Sequence, residues 1–195
     1  MVNGSLIKDL RFEYGYSKSE FSKIIGIIPK TLVRIEAQSD VKEKYITKIN
    51  NAIGVNLNNY SLNISKMPVG MRIKYYRMSA GFSAEDFAKQ LGVDNTFIYA
   101  IESGKRNPSP PVLKRICGIL NVPVKKLTCV KLNRHSTAGE RLRYYRVLNG
   151  LTQKELAERI GETKAFVSKA ERNLFQSTKQ IKRINSIIDY LTNSK

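Results

Sequence analysis

The side chains that most often carry catalysis or hold metals are few here and poorly spaced for either task. The chain has two cysteines, Cys117 and Cys129, and one histidine, His135, with no CxxC pair, so a zinc site lacks its donors. No His, Cys and carboxylate group has the pattern of a nucleophile with its base. The glycines fall where helices should end, not in a phosphate-cradling loop. No enzymatic activity, cofactor or metal is therefore expected, and Cys117 reads as a small core residue. The chemistry that remains is charge. Thirty-four Lys and Arg stand against 16 Asp and Glu, a net charge of +18 with a pI near 10.0. Such an excess suits a polyanionic partner, nucleic acid first and an acidic membrane surface second.

The excess runs through the whole chain. Residues 1–66 carry 10 basic and 6 acidic side chains, 67–130 carry 10 and 4, and 131–195 carry 14 and 6. No apolar run reaches the roughly 18 residues needed to span a bilayer. The opening MVNGSLIKDLRFEYG has no signal-peptide core, so a cytoplasmic location is expected.

The elements that must position this charge come in three registered copies. Gly15, Gly81 and Gly150 are offset by 66 and then 69 residues, and the same offsets superpose Ser17, Ser83 and Thr152, then Gly26, Gly92 and Gly161. In each copy an amphipathic helix should end near the first glycine, as in residues 5–14 with Leu6, Ile7, Leu10 and Phe12. A capping box follows, Ser17 with Glu20, Ser83 with Asp86 and Thr152 with Glu155, and starts a short second helix. That helix should stop at Gly26, Gly92 or Gly161, and a third begins within about four residues, capped by Asp94 or Thr163 or opened by Pro29. Two short helices joined by a glycine turn make a helix-turn-helix. No β-pattern is visible, so the expected class is all-α. The expected domains are 1–60, 70–127 and 139–195, with polar linkers at 61–69 and 128–138.

The stretches FSAEDFAKQLGVDNTFIYAIESGKRNPS (82–109) and LTQKELAERIGETKAFVSKAE (151–171) resemble the Cro/C1-type helix-turn-helix of phage repressors and the xenobiotic-response-element group of bacterial regulators. The resemblance implies three tandem lambda-repressor-like domains of four to five short helices, the first being the most divergent. It also implies a double-stranded DNA partner and a sequence-specific transcriptional regulator of the repressor type, bacterial or phage-encoded. A homodimer or protein partner stays open. In such proteins an arginine on the first helix pairs with a glutamate ending the third. Arg11 with Glu36, Arg77 with Glu102 and Arg146 with Glu171 are each 25 residues apart, which implies three structural ion pairs.

In that family the third helix enters the major groove and the start of the second grips phosphate. Carried over by position, the first copy would use Lys30, Thr31 and Arg34 on bases and Lys18 on phosphate. The second would use Asn95, Thr96, Tyr99 and Ala100 on bases, and Ser83, Lys105 and Arg106 on the backbone. The third would use Lys164, Ala165, Ser168 and Lys169 on bases, with Gln153 and Thr163 on phosphate. Ala84 stands where the family has a helix-two glutamine, and Ile27-Ile28-Pro29 gives the first copy an apolar approach to its reading helix. For that copy, DNA contact and a packing or partner-binding role are equally open. Tyr76 and Tyr145 are expected in the core, Tyr75 and Tyr144 nearer the surface as anchors between copies. Phe97 and Phe166 fit either a neighbouring helix or a thymine methyl. The alternative function is a protein- or RNA-binding interaction module, such as an antitoxin or an inhibitor of a nucleic-acid enzyme, on the same fold.

Overall fold

The computed structural model describes residues 2–128, 132–133 and 135–193. Cys129 lies outside them, as does part of the expected linker 128–138. The described residues are helical without a strand. Helices α1 (Gly4–Glu13), α2 (Lys18–Ile24), α3 (Pro29–Glu36) and α4 (Glu43–Ile53) come first, followed by a 3-10 turn at Ile64–Lys66. Then come α5 (Val69–Ser79), α6 (Ala84–Leu91), α7 (Asn95–Glu102), α8 (Pro110–Leu120) and α9 (Val124–Leu127). The last four are α10 (Ala138–Leu148), α11 (Gln153–Arg159), α12 (Lys164–Glu171) and α13 (Thr178–Asn193).

Local chemistry sets most of these boundaries. Ser17 and Thr152 each form a full capping box: the hydroxyl accepts from the N–H of Glu20 or Glu155, and the carboxylate accepts from the cap N–H. The third box is incomplete. Ser83 accepts from Asp86 N–H at 3.0 Å, but the Asp86 carboxylate takes the Ser83 hydroxyl at 2.5 Å, since Asp is one methylene shorter than Glu. A fourth box, absent from the sequence reading, starts α10 at Thr137 with Glu140. Asp94 sits in the cap position of α7 with extended backbone but makes no cap bond, its exposed side chain lying in solvent. Thr163 does cap α12, accepting from Phe166 N–H at 3.1 Å, and Pro29 opens α3. Gly26, Gly92 and Gly161 close α2, α6 and α11 with φ of 66°, 67° and 66°, a conformation that a side chain would strain.

The chain forms two compact units: Met1–Ala88 with Asp94–Lys105, and Lys89–Val93 with Arg106–Lys195. This grouping differs from the three sequence copies. In the first unit α5 packs on α1, and in the second α8 packs on α9 and α10. The first unit holds a core of Ile7, Leu10, Phe21, Leu32, Ile35, Ile46 and Ile49, with Val2, Ile25, Val41 and Leu57 completing it. A second cluster there joins Phe12, Met67 and Tyr75. The expected polar linker 61–69 is thus partly structural, because Met67 and Val69 are buried and Leu62 and Ile64 pack against that cluster. The second unit is centred on Leu142, Leu156, Val167, Ile184, Ile188 and Leu191. Cys117 is buried, and burial pushes its thiol up to about 11.

Two tyrosine expectations are corrected. Tyr75, read as the more exposed, is buried, and Tyr76 is only half-buried. The reason is that α1 covers the Tyr75 face of α5. Tyr75 meets Phe12 edge-on at 6.1 Å between centroids and donates its hydroxyl to Asp9 Oδ1 at 3.1 Å. Burial first, and the Asp9 charge second, raise the phenol to about 12. Tyr145, expected in the core, is half-buried and packs against the core cluster of the second unit, and Tyr144 is half-buried.

Candidate nucleic-acid interface

One motif recurs at the same relative positions and orients a short helix each time. Arg11 Nε donates to Glu36 Oε1 at 2.6 Å and Nη2 to Oε2 at 3.1 Å. Arg77 repeats this with Glu102 at 2.6 and 2.9 Å, and Arg146 with Glu171 at 2.5 and 3.1 Å. The remaining guanidinium nitrogen of each arginine donates to a carbonyl five residues on, Tyr16, Phe82 or Leu151. A planar guanidinium can serve all three acceptors at once, which a lysine ammonium could not do with this fork geometry. Each clamp therefore ties the first helix, the approach to the second and the end of the third. The six side chains are 3–7 % exposed, so these charges are held by one another and not by water.

A steric slot accompanies each clamp. A Cβ added at Gly4 would come 2.1 Å from Ile35 O, at Gly70 2.1 Å from Ile101 O, and at Gly139 2.2 Å from Ala170 O. The first helix approaches the end of the third so closely that only glycine fits. These three glycines keep the offsets of 66 and 69, so the signal is present in the sequence.

The outward faces of the clamped helices carry the residues expected to contact DNA. On α3, Lys30 and Arg34 are exposed and Thr31 half-buried, beside exposed Ile28 and Val33. Lys18 is exposed at the start of α2. On α7, Thr96 is exposed, Ala100 half-buried and Tyr99 57 % exposed, a large value for an aromatic ring. Thr96, Tyr99 and Ala100 line a cleft with Met71, Lys74 and Lys105. Asn95 is half-buried with Oδ1 turned inward and accepting no hydrogen bond, so a two-point contact with adenine requires the amide to swing out. Ser83 is exposed, although its hydroxyl is engaged with Asp86. Arg106 is exposed in the loop after α7.

On α12, Lys164, Ala165 and Lys169 are exposed and Ser168 half-buried. Thr163 is exposed at the cap. Gln153 is half-buried and donates Nε2 to Glu171 Oε2 at 2.9 Å, which makes it part of the clamp in this copy. Phe166 packs on Phe175 with centroids 5.0 Å apart, and Arg183 lies over its ring at 5.9 Å. The ring is thus used to hold the loop after α12. Arg183 also pairs with Glu162 in the turn before α12. The two Arg183 contacts are not legible from spacing alone, because α13 supplies one side of them.

Among the described residues no group of three or more His, Cys, Asp or Glu side chains could hold a metal ion. No described helix is long and apolar enough to cross a membrane.

The pattern of the Helix-turn-helix family matches residues 73–127 and 142–191. The chain is 34 % identical over 58 residues to the uncharacterized HTH-type transcriptional regulator YazB of Bacillus subtilis, 30 % of this chain and 84 % of that protein. It is 38 % identical over 56 residues to the uncharacterized HTH-type transcriptional regulator MJ0272 of Methanocaldococcus jannaschii, 29 % of this chain and 85 % of that protein. It is also 35 % identical over 60 residues to the HTH-type transcriptional regulator SinR of Bacillus subtilis, covering 54 % of it. No solved structure matches the chain. The clamped short helices and the two matched segments, which together cover more than half of the sequence, lead to one assignment: the chain belongs to the Helix-turn-helix family.

Proposed function

We propose that the protein is a sequence-specific double-stranded DNA-binding transcriptional regulator, acting as a repressor. Its three helix-turn-helix domains, at 1–60, 70–127 and 139–195, read successive major grooves with α3, α7 and α12. The observation that carries this reading is the clamp. A buried ion pair fixes each short third helix while leaving its opposite face, with Lys30 and Arg34, Thr96 and Tyr99, or Lys164 and Lys169, in solvent. A chain of charge +18 supplies the sequence-independent attraction to phosphate. The related proteins named as transcriptional regulators support the same reading.

In this account Lys30, Thr31, Arg34, Asn95, Thr96, Tyr99, Ala100, Lys164, Ala165, Ser168 and Lys169 face base edges. Lys18, Ser83, Lys105, Arg106 and Thr163 face the sugar-phosphate backbone, and Gln153 joins them only when its amide leaves Glu171. The test uses a DNA site selected from random sequence by the full chain. Substituting Asn95, Lys164 and Lys169 together by alanine should lower affinity for that site by at least about 100-fold, since each base contact contributes roughly 1–3 kcal/mol. Helicity measured by circular dichroism should be unchanged. Undiminished binding by the triple variant contradicts the assignment.

A further inference from the structure

We infer that the first and second helix-turn-helix copies form an intramolecular pseudo-twofold pair through α1 and α5, so that the paired half-sites they read are inverted and not directly repeated. The inference rests on the DNA-reading proposal above. With the copies aligned by their offset of 66 residues, Asp9 and Tyr75 are the same position. These two equivalent positions meet directly, Tyr75 Oη donating to Asp9 Oδ1 at 3.1 Å. A surface position touches its own counterpart when the two copies are related by a rotation of about 180°, the isologous arrangement. Copies repeated by translation place different faces against each other.

The surrounding contacts follow the same rule. Phe12 and its equivalent Met78 join one apolar cluster with Tyr75. Arg11 and its equivalent Arg77 line one cleft together with Lys8 and Gly81. The reciprocal pair is Lys74 and Gly15: a Cβ at Gly15 would lie 2.7 Å from Lys74 Nζ. Position 8 of each copy thus approaches position 15 of the other, as a twofold axis requires. Lys74 also lines the cleft on the outer side of α7, which makes the pairing surface continuous with a reading face.

The pair is complementary because the copies differ. At the shared position one copy has a carboxylate and the other a phenol, whereas two first copies would oppose Asp9 to Asp9, a like-charge contact that disfavours pairing between separate chains through this face. A twofold pair carries its third helices with opposite polarity, and the DNA it fits has inverted half-sites. Since α3 and α7 differ in sequence, the palindrome should be imperfect.

The experiment selects binding sites from random DNA with the full chain. It then compares duplexes carrying the recovered half-sites inverted or direct at the same spacing. The inverted duplex should bind at least about tenfold more tightly, because the direct one allows only one of the two heads to engage. A motif with direct half-sites, or any arrangement without an inverted pair, overturns the pairing while leaving DNA reading intact. Recovery of no motif overturns both. Asp9→Ala with Tyr75→Phe gives a second arm. It should narrow the preference for the inverted duplex without changing affinity for a single half-site, and an unchanged preference contradicts the pairing.

Discussion

Replacing Arg77 with methionine removes the cation around which the end of α7 is built. Arg77 makes hydrogen bonds of 2.6 and 2.9 Å to Glu102 and one of 2.8 Å to the Phe82 carbonyl. The Glu102 side chain is 4 % exposed, so water cannot replace the lost donors. Deleting one partner of such a pair costs roughly 3–5 kcal/mol, because the other charge is stranded. The orphaned carbonyl accounts for about 1–3 kcal/mol of comparable loss and overlaps that figure instead of adding to it in full. A change near 4 kcal/mol is a large part of the roughly 5–15 kcal/mol that stabilises a domain. Arg77→Met combined with Glu102→Leu exchanges the ion pair for apolar contact, which is roughly neutral in many proteins. The double variant should therefore be more stable than Arg77→Met alone. Equilibrium urea unfolding followed by circular dichroism measures all three. A loss below about 1 kcal/mol for Arg77→Met, or a double variant less stable than the single, refutes the clamp as a buried and self-sufficient pair.

Gly70→Ala should destabilise strongly, since its Cβ would meet Ile101 O at 2.1 Å. By contrast Gly118→Ala, in α8 with nothing within 4 Å, should stabilise by about 0.5–1 kcal/mol, and thermal melts of the two variants separate these effects. The Glu20 carboxyl is held below its usual 4.5, first by the Ser17 hydroxyl and then by the Ser17 N–H. A depressed folded value stabilises the fold above the usual carboxylate range and ceases to do so as pH falls through the folded value. Glu20→Gln should therefore lower the melting temperature at neutral pH, and the difference from the parent chain should shrink as pH falls through the folded value. Binding to a selected duplex should weaken steeply between about 50 and 200 mM salt, as phosphate contacts release counterions, and a flat salt response contradicts phosphate contact. With Cys129 replaced by serine, the buried Cys117 thiol, raised to about 11, should react with a thiol reagent only as the protein unfolds.

The features that were legible in the sequence are those fixed by a few neighbouring residues or by strict recurrence. Helix starts at Ser17 and Thr152 and turns at Gly26, Gly92 and Gly161 follow from capping and backbone sterics. The partnership of Arg11 with Glu36 was legible because the family resemblance implies such a pair and the matching 25-residue spacing occurs three times. What stayed hidden depends on which helix lies across another. Tyr75 and Tyr76 are adjacent on α5, and only the packing of α1 decides which is buried. The linker 61–69 looked polar because its apolar residues, Leu62, Ile64, Met67 and Val69, stand among polar ones with few helix formers. Leu62, Ile64 and Met67 are ordered by the Phe12 cluster instead. Gln153 has the family position of a phosphate contact, yet in the folded chain its amide reaches Glu171 first. Gly4, Gly70 and Gly139 carry a readable signal of a different kind, a recurring absence of side chain opposite a carbonyl.

Several clamped helices in one chain are proposed above to read DNA together. Footprinting of the full chain on its selected site tests this most directly, because the protected length counts the heads engaged. Protection over two or more successive helical turns, about 34 Å each, is the expected result. Protection confined to a single turn contradicts multi-headed reading, and the absence of any protected site contradicts DNA reading altogether.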